Sequence, residues 1–263
     1  MVKTGIHFLF IIGCTLGAIF IEDDVWKGVF IGGSFTSCLV LIESGVEHRK
    51  YLLLLLLSKT YFRKKLIRFS ISYLYRIKVD DKYLLVKGKR INQFQPVGGV
   101  YKRHPESKNQ LKKMGVLDDD SIPIDGASRD DLRVRVPGKN AVPLIKWFDS
   151  KEGREVSRFR EFCEELIATG ILSKDNFRYI DYNLIETVEN GIRFSDHFQC
   201  YEYLIADIVE LRPTVEQLEE LRKLIAVQNP DYIWVDDQSI RRRGYNLSAG
   251  IDVTISPTSE WIL

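Results

Sequence analysis

Two apolar runs in the first 42 residues restrict this chain more than anything that follows them. "GIHFLFIIGCTLGAIFI" (Gly5 to Ile21) is apolar but for one His and one Thr, "VFIGGSFTSCLVLI" (Val29 to Ile42) is apolar or small throughout, and "EDDVWKG" separates them. With its flanks, each run reaches the roughly 17 to 25 residues that a membrane-crossing helix needs. A signal peptide fits less well, because Lys3 is the only cation before the first run and a second run follows almost at once. A buried hairpin of a soluble domain is the other alternative. The sequence predicts a two-helix transmembrane hairpin over residues 1–48. The short turn holds Glu22, Asp23 and Asp24 against Lys27, whereas Arg49, Lys50, Lys59, Arg63, Lys64, Lys65 and Arg68 follow the second run. That asymmetry predicts an inner-membrane protein with both termini cytoplasmic. Gly13 with Gly17, and Gly28 with Gly32, are small residues four apart, a spacing that lets helix backbones approach closely.

Residues 49–68, "KYLLLLLLSKTYFRKKLIR" with the Arg before it, read as a basic juxtamembrane segment lying at anionic headgroups. From residue 69 to 263 the pattern is that of one soluble domain. "SISYLYRIKV" and "KYLLVKG" have the β-branched and aromatic content of strands, with Asp80-Asp81 as the turn between them. Further strands are predicted in "FRYIDYNLIETV", "IRFSDHFQCYEYLIADIVEL" and "YIWVDD", with Asn190-Gly191 as a hairpin signal. A helix is predicted in "TVEQLEELRKLIAVQ", started by Pro213-Thr214 and apolar at Val215, Leu218, Leu221, Leu224 and Ile225. This order gives an α/β fold, a mixed sheet sandwiched between helices. The net charge of +2 argues against duplex nucleic acid as a partner, and the four cysteines lack the spacing of a zinc site or a disulfide framework.

One helix carries chemistry. In "REFCEELIATGIL", Glu161, Glu164 and Glu165 recur at three- and four-residue spacing, so their carboxylates share one face while Phe162 and Leu166 anchor the other. Converging carboxylates repel unless a cation joins them, and hard oxygen ligands suit Mg²⁺. A solvated acidic face is the plain alternative.

Arg160-Glu-apolar-x-Glu-Glu resembles the end of the Nudix box. Glu152 stands seven intervening residues before Arg160, as that box asks, and a strand-terminal Gly98-Gly99 is present. Two departures are evident: 52 residues separate Gly99 from Glu152 where the box allows about five, and Gly170 falls three positions late. Together "RFSISYLYRIKVDDKYLLVKG", "FQPVGGVYK", "DLRVRVPGK", "WFDSKEGREVSRFREFCEELIATGIL" and the closing "SEWIL" resemble the SMODS-associated Nudix family. The resemblance implies a Nudix-like α/β/α sandwich that senses a cyclic di- or trinucleotide made by a partner nucleotidyltransferase. With two N-terminal membrane helices it implies an effector of cyclic-oligonucleotide-based antiphage signalling (CBASS), acting as a homo-oligomer on inner-membrane lipids rather than as an enzyme.

A cyclic oligonucleotide asks for cations, donors and aromatic platforms. The candidates are Arg90 and Gln95 near the Gly-Gly turn, Arg133, Arg135 and Lys139 in "DLRVRVPGK", and His197, Gln199 and Tyr201, which would alternate onto one face of a strand "DHFQCYE". The alternative function is a membrane-anchored Mg²⁺-dependent hydrolase of nucleoside diphosphate derivatives. There Glu164 and Glu165 would hold the metal, Glu161 would order the site or act as base, and Arg160 would pair with a carboxylate.

Overall fold

A computed structural model of the chain describes residues 53–245 and 253–263, apart from 122, 124 and 127, together with a few positions between 14 and 36. It divides into two compact units, Met1–Leu57 and Ser58–Leu263. In the first, residues 29–34 and 53–57 are helical. Most of the predicted membrane hairpin lies outside the described residues, and among those described no helix is long and apolar enough to cross a membrane.

The second unit is a mixed α/β fold organised on strand β1 (Leu66–Arg76). Ile67, Phe69, Ile71, Tyr73 and Tyr75 are all fully buried, and Leu74 on the opposite face is nearly so. A strand covered on both faces belongs at a sheet centre, and burial of each large side chain stabilises by about 1.5–3 kcal/mol. The chain continues through β2 (Lys78–Val79), β3 (Lys82–Lys87), β4 (Phe94–Pro96) and β5 (Gly98–Val100). Helix α1 (Lys108–Lys113), strands β6 (Leu117–Asp118) and β7 (Arg133–Pro137), and helix α2 (Ala141–Asp149) follow. Then come α3 (Phe159–Phe162), which runs into a π-helical turn (Cys163–Ile167), and strands β8 (Asp181–Glu189), β9 (Arg193–Ser195) and β10 (Cys200–Arg212). Helix α4 (Val215–Ile225), strand β11 (Tyr232–Val235), helix α5 (Asp237–Arg241) and a 3₁₀ turn (Pro257–Ile262) complete it.

The main sheet has seven strands, ordered β6-β7-β1-β10-β8, with β5 also on β1 and β9 also on β10. β1 and β10 are parallel, Arg68 opposite Glu202 through Arg76 opposite Glu210. The other pairings in this sheet are antiparallel. One edge of β1 is shared in series: β7 covers Leu66 to Ser70 and β5 covers Ser72 to Leu74. The predicted mixed sheet is present, but half of its sandwich is not helical. A second, antiparallel sheet of β11, β3, β2 and β4 takes that place, and Leu74, Ala206 and Ile208 of the main sheet pack with Tyr83, Leu85, Ile240, Ile255 and Ile262. On the other face Tyr75 meets Phe162 of α3, and Tyr101 meets Phe148 of α2.

Local signals resolve unevenly. Asp80 and Asp81 both have positive φ, as a two-residue hairpin turn requires. Thr214 and Gln217 form a capping box at the start of α4. Asn190-Gly191, in contrast, makes no hairpin: β8 and β9 both run antiparallel to β10, and Asn190 interrupts them by accepting the Leu204 N–H on its side chain. The hairpin turn is residues 196–199. Val215 is also exposed rather than part of an apolar face, and Gln217 and Leu221 are the buried positions of α4.

Candidate functional site

The two glycines of β5 allow that strand to lie directly under the carboxylate helix. Gly98 has φ of 143°, and a Cβ there would collide with the Tyr73 carbonyl; a Cβ on Gly99 would collide with the Glu161 carboxylate. The freed space is used by charge. Gly98 N–H donates to Glu165 Oε2 at 2.9 Å, and Glu161 N–H donates to the Tyr73 hydroxyl at 3.2 Å. Phe162 and Leu166 are fully buried on the opposite side, as their spacing predicts.

Arg160 is the hub of this face. Its Nε and one terminal nitrogen donate to the two Glu155 oxygens at 3.0 and 3.3 Å. That terminal nitrogen also donates to Val100 O at 2.9 Å, and the other reaches Glu161 at 2.6 Å and Glu164 at 3.5 Å. Burial pushes the Glu161 carboxyl up against the opposing pull of Arg160. Burial pushes Glu165 up to about 8, although the Gly98 N–H works in the other direction. Glu152, the residue at the expected box spacing, lies exposed in a turn; Glu155 faces Arg160 instead. The left-handed residues Lys151 and Gly153 turn the chain on either side of Glu152 and reset the register.

Among the described residues no three His, Cys, Asp or Glu side chains gather to hold a metal ion. The expected Mg²⁺ set of Glu161, Glu164 and Glu165 is therefore not assembled. The hard oxygens suit Mg²⁺ in kind, but a guanidinium lies between Glu161 and Glu164, and Glu165 is turned to a backbone N–H. The π-helical turn alters the rotation per residue just where an α-helix would have aligned Glu164 and Glu165 with Glu161.

The profile of the SMODS-associated NUDIX domain matches residues 66–263, about three quarters of the chain. The chain belongs to the SMODS-associated NUDIX family. No curated protein matches it. The family is associated with SMODS signalling systems, and Mg²⁺ is in keeping with NUDIX chemistry in general.

The NUDIX domain of this chain also contains a polar cavity of about 420 Å³, within the range of small-molecule sites. Apart from Arg90, its walls come from the long insertion between Gly99 and Glu152. The cations are Arg90, Arg103, Lys108, Arg129 and Arg133; the anions are Asp118, Asp119, Asp130 and Asp131, with Ser128 beside them. One rim pair is short, Arg103 to Asp118 at 2.5 Å, and the others are long. Arg90 to Asp125 and Lys108 to Asp130 are both 3.3 Å, Arg133 to Asp131 is 3.4 Å and Arg103 to Asp130 is 3.5 Å. Arg129 is exposed and has no ion pair among the described residues.

The floor is different. Arg68 donates to Asp119 at 2.7 Å and to Glu202 at 3.2 Å, all three being buried, and its guanidinium lies 4.0 Å from the Phe198 ring centre. Burial opposes the Asp119 charge, but Arg68 and Ser121 outweigh it and hold the carboxyl below the usual range. Burial pushes Asp131 up despite Arg133 and Lys102.

Of the predicted ligand residues, Arg90 and Arg133 line the cavity. Arg135 adjoins it but is held by Asp119 at 3.1 Å and Ser121 at 2.6 Å. Gln95 sits in the second sheet opposite Val86. Lys139 is exposed beyond the far end of β7. His197 and Gln199 do not alternate along a strand; they occupy the hairpin turn, where Gln199 has φ of 50° and donates to Asp196 O at 2.6 Å. Tyr201 packs on Phe62, ring centres 4.8 Å apart. Sequence reasoning missed Arg103, Lys108, Arg129 and the aspartates. The dense charge of "SRDDLRVR" (Ser128 to Arg135) was their available signal.

Proposed function

We propose that this chain is a membrane effector of a cyclic-oligonucleotide-based antiphage system, and that its NUDIX domain binds a cyclic di- or trinucleotide in the insertion cavity. The observation that carries the reading is the contrast between floor and rim. An ion pair with an exposed member contributes only about 0–1 kcal/mol, so a phosphate can replace Asp130 as the partner of Lys108 at small cost, and Arg129 has no ion pair to give up among the described residues. Asp130 then faces donors on the base edges. The buried Arg68–Asp119–Glu202 network keeps the cavity in shape. The box face serves as a structural clamp and not as a hydrolytic centre, because Arg160 already occupies the space between its carboxylates.

The apolar runs form a hairpin in the bacterial inner membrane with both termini cytoplasmic. Ligand binding favours a higher oligomer, since a ligand shifts an equilibrium only by its differential affinity for the two states. Among the described residues a Cβ at Gly32 would meet nothing within 4 Å, and small residues four apart are the spacing at which helices pack closely.

Titration of the Ser58–Leu263 unit with cyclic di- and trinucleotides and with nucleoside diphosphate derivatives tests the reading. We expect a cyclic nucleotide to bind without turnover. Replacing both Lys108 and Arg129 by Ala should weaken it at least about tenfold, the equivalent of 1.4 kcal/mol, whereas Glu164→Gln should leave affinity unchanged. Robust Mg²⁺-dependent hydrolysis that disappears in Glu164→Gln would favour the hydrolase and sink the proposal. In vesicles holding the full chain, Gly17→Leu and Gly32→Leu should abolish ligand-induced leakage while sparing binding.

A further inference from the structure

Four residues singled out in the sequence for a ligand lie elsewhere, and they converge. Lys139 and Tyr201 lie beyond the cavity, against the segment by which the chain enters the domain, and His197 and Gln199 are in the hairpin turn that leads to Tyr201. Tyr61 and Phe62 of that segment lie 6.5 and 4.8 Å from Tyr201, ring centre to ring centre, and Phe194 lies 5.4 Å from it. Lys65 Nζ is 3.5 Å from the Tyr61 ring centre. The turn carrying Lys139 is fastened to the same segment: Gly138 N–H donates to Lys65 O at 2.9 Å and Lys139 N–H to Arg63 O at 3.3 Å. Only glycine permits that approach, since a Cβ at Gly138 would collide with Phe62 O.

The surface so formed has a definite character. Tyr61 and Phe194 are 58% and 49% exposed, large rings left in water although neighbouring Phe62 is buried. Lys59, Arg63, Lys64 and Lys139 are exposed, and none has an ion-pair partner among the described residues. Asp196 is the one acidic side chain of the hairpin turn. Unpaired cations beside one exposed amphipathic ring, Tyr61, and one exposed apolar ring, Phe194, match the headgroup region of an anionic bilayer, which attracts Lys and Arg electrostatically and receives rings at its interface.

We infer that the entry segment around Tyr61, the Lys139 turn and the β9–β10 hairpin form one composite surface that docks the domain on an anionic membrane. The two apolar runs of the sequence end shortly before this segment, so the occupant we commit to is a lipid surface rather than a nucleic acid or a second protein. The inference shares only the membrane setting with the proposed function and does not require a nucleotide in the cavity.

The Ser58–Leu263 unit, which has its own core and lacks the apolar runs, is the protein to use. It should co-sediment with phosphatidylglycerol-containing vesicles and not with phosphatidylcholine alone. Arg63→Glu with Lys139→Glu should weaken binding at least about tenfold; Phe194→Ser should weaken it several-fold and make the remainder more salt-sensitive. All three positions are exposed, and unchanged melting confirms the fold; Lys139→Ala serves if the double reversal melts early. Absence of binding, equal binding to neutral vesicles, or tighter binding of a single-stranded oligonucleotide would overturn the inference. So would loss on Arg63→Glu alone with Lys139→Glu and Phe194→Ser both silent, because the surface would then not be composite. None of these results bears on the cavity.

Discussion

At the box helix, Glu155, Glu161 and Glu164 share the single guanidinium of Arg160, with the Glu155 and Glu161 side chains only 14% and 16% exposed. In the insertion cavity, five cations meet four aspartates; Arg103 and Asp131 are as buried as the box glutamates, but Asp118 and Lys108 are 51% and 56% exposed. The two regions use the same side-chain types within one domain. The supply of spare cations separates them: one guanidinium is shared by three carboxylates at the box, whereas in the cavity Lys108 is half exposed and Arg129 has no ion pair among the described residues. An ion pair out of water is costly to open, and one at a wet rim exchanges partners readily. Charge clusters in a sequence therefore announce ionic sites without saying which of them are available to a ligand.

The most severe way to break this comparison is Arg160→Ala. It strands Glu155 and Glu161 partly buried without a counterion, and should cost about 3–5 kcal/mol, read as a fall in the denaturant midpoint. A near-silent result would mean that the box face is as loose as the rim. Added Mg²⁺ sharpens the test, because recovery of the lost stability would show that the carboxylates accept a metal once the guanidinium is gone.

A smaller effect is expected at the cavity floor. Arg68 holds Asp119 below its unfolded range, so the stability this pair contributes is complete above the ordinary Asp value near 4 and is lost as pH falls through the depressed folded value. Asp119→Asn should cost about 2–3 kcal/mol at neutral pH, with the variant and parent curves converging in strong acid. Parallel curves at all pH values would exclude Asp119 as an ionic floor. The smallest change belongs to the rim: Lys108→Ala should alter stability by no more than about 0.5 kcal/mol, while still weakening the nucleotide. A larger loss of stability would move Lys108 from rim to framework.

How much could be read in advance follows from which signals are local. The Asp80-Asp81 turn, the Thr214 cap and the Phe162/Leu166 anchor depend on neighbours in sequence, and each is where the sequence predicts it. Asn190-Gly191 has hairpin chemistry, but its strands were already partnered by β10, and the turn was made at 196–199. Glu155 displaced Glu152 because left-handed residues stand on both sides of Glu152, at Lys151 and Gly153, which counting cannot register. The cavity was legible only in fragments, since Arg90 and Arg133 are brought to Arg103 and Lys108 by a loop whose path no periodicity encodes.

The parallel pairing of β1 with β10 also sets a schedule for the nascent chain. Arg68 and Glu202 are 134 residues apart, so at roughly 5–20 residues per second the first strand waits roughly 7 to 27 s for its second neighbour to emerge. β5 and β7 can close one edge much earlier, but the other stays open, with Ile67, Phe69 and Ile71 near it. Long-range pairing of this kind slows folding and leaves sticky edges unguarded. Ribosomes stalled before Cys200 would release a domain in which one edge of β1 has no partner strand.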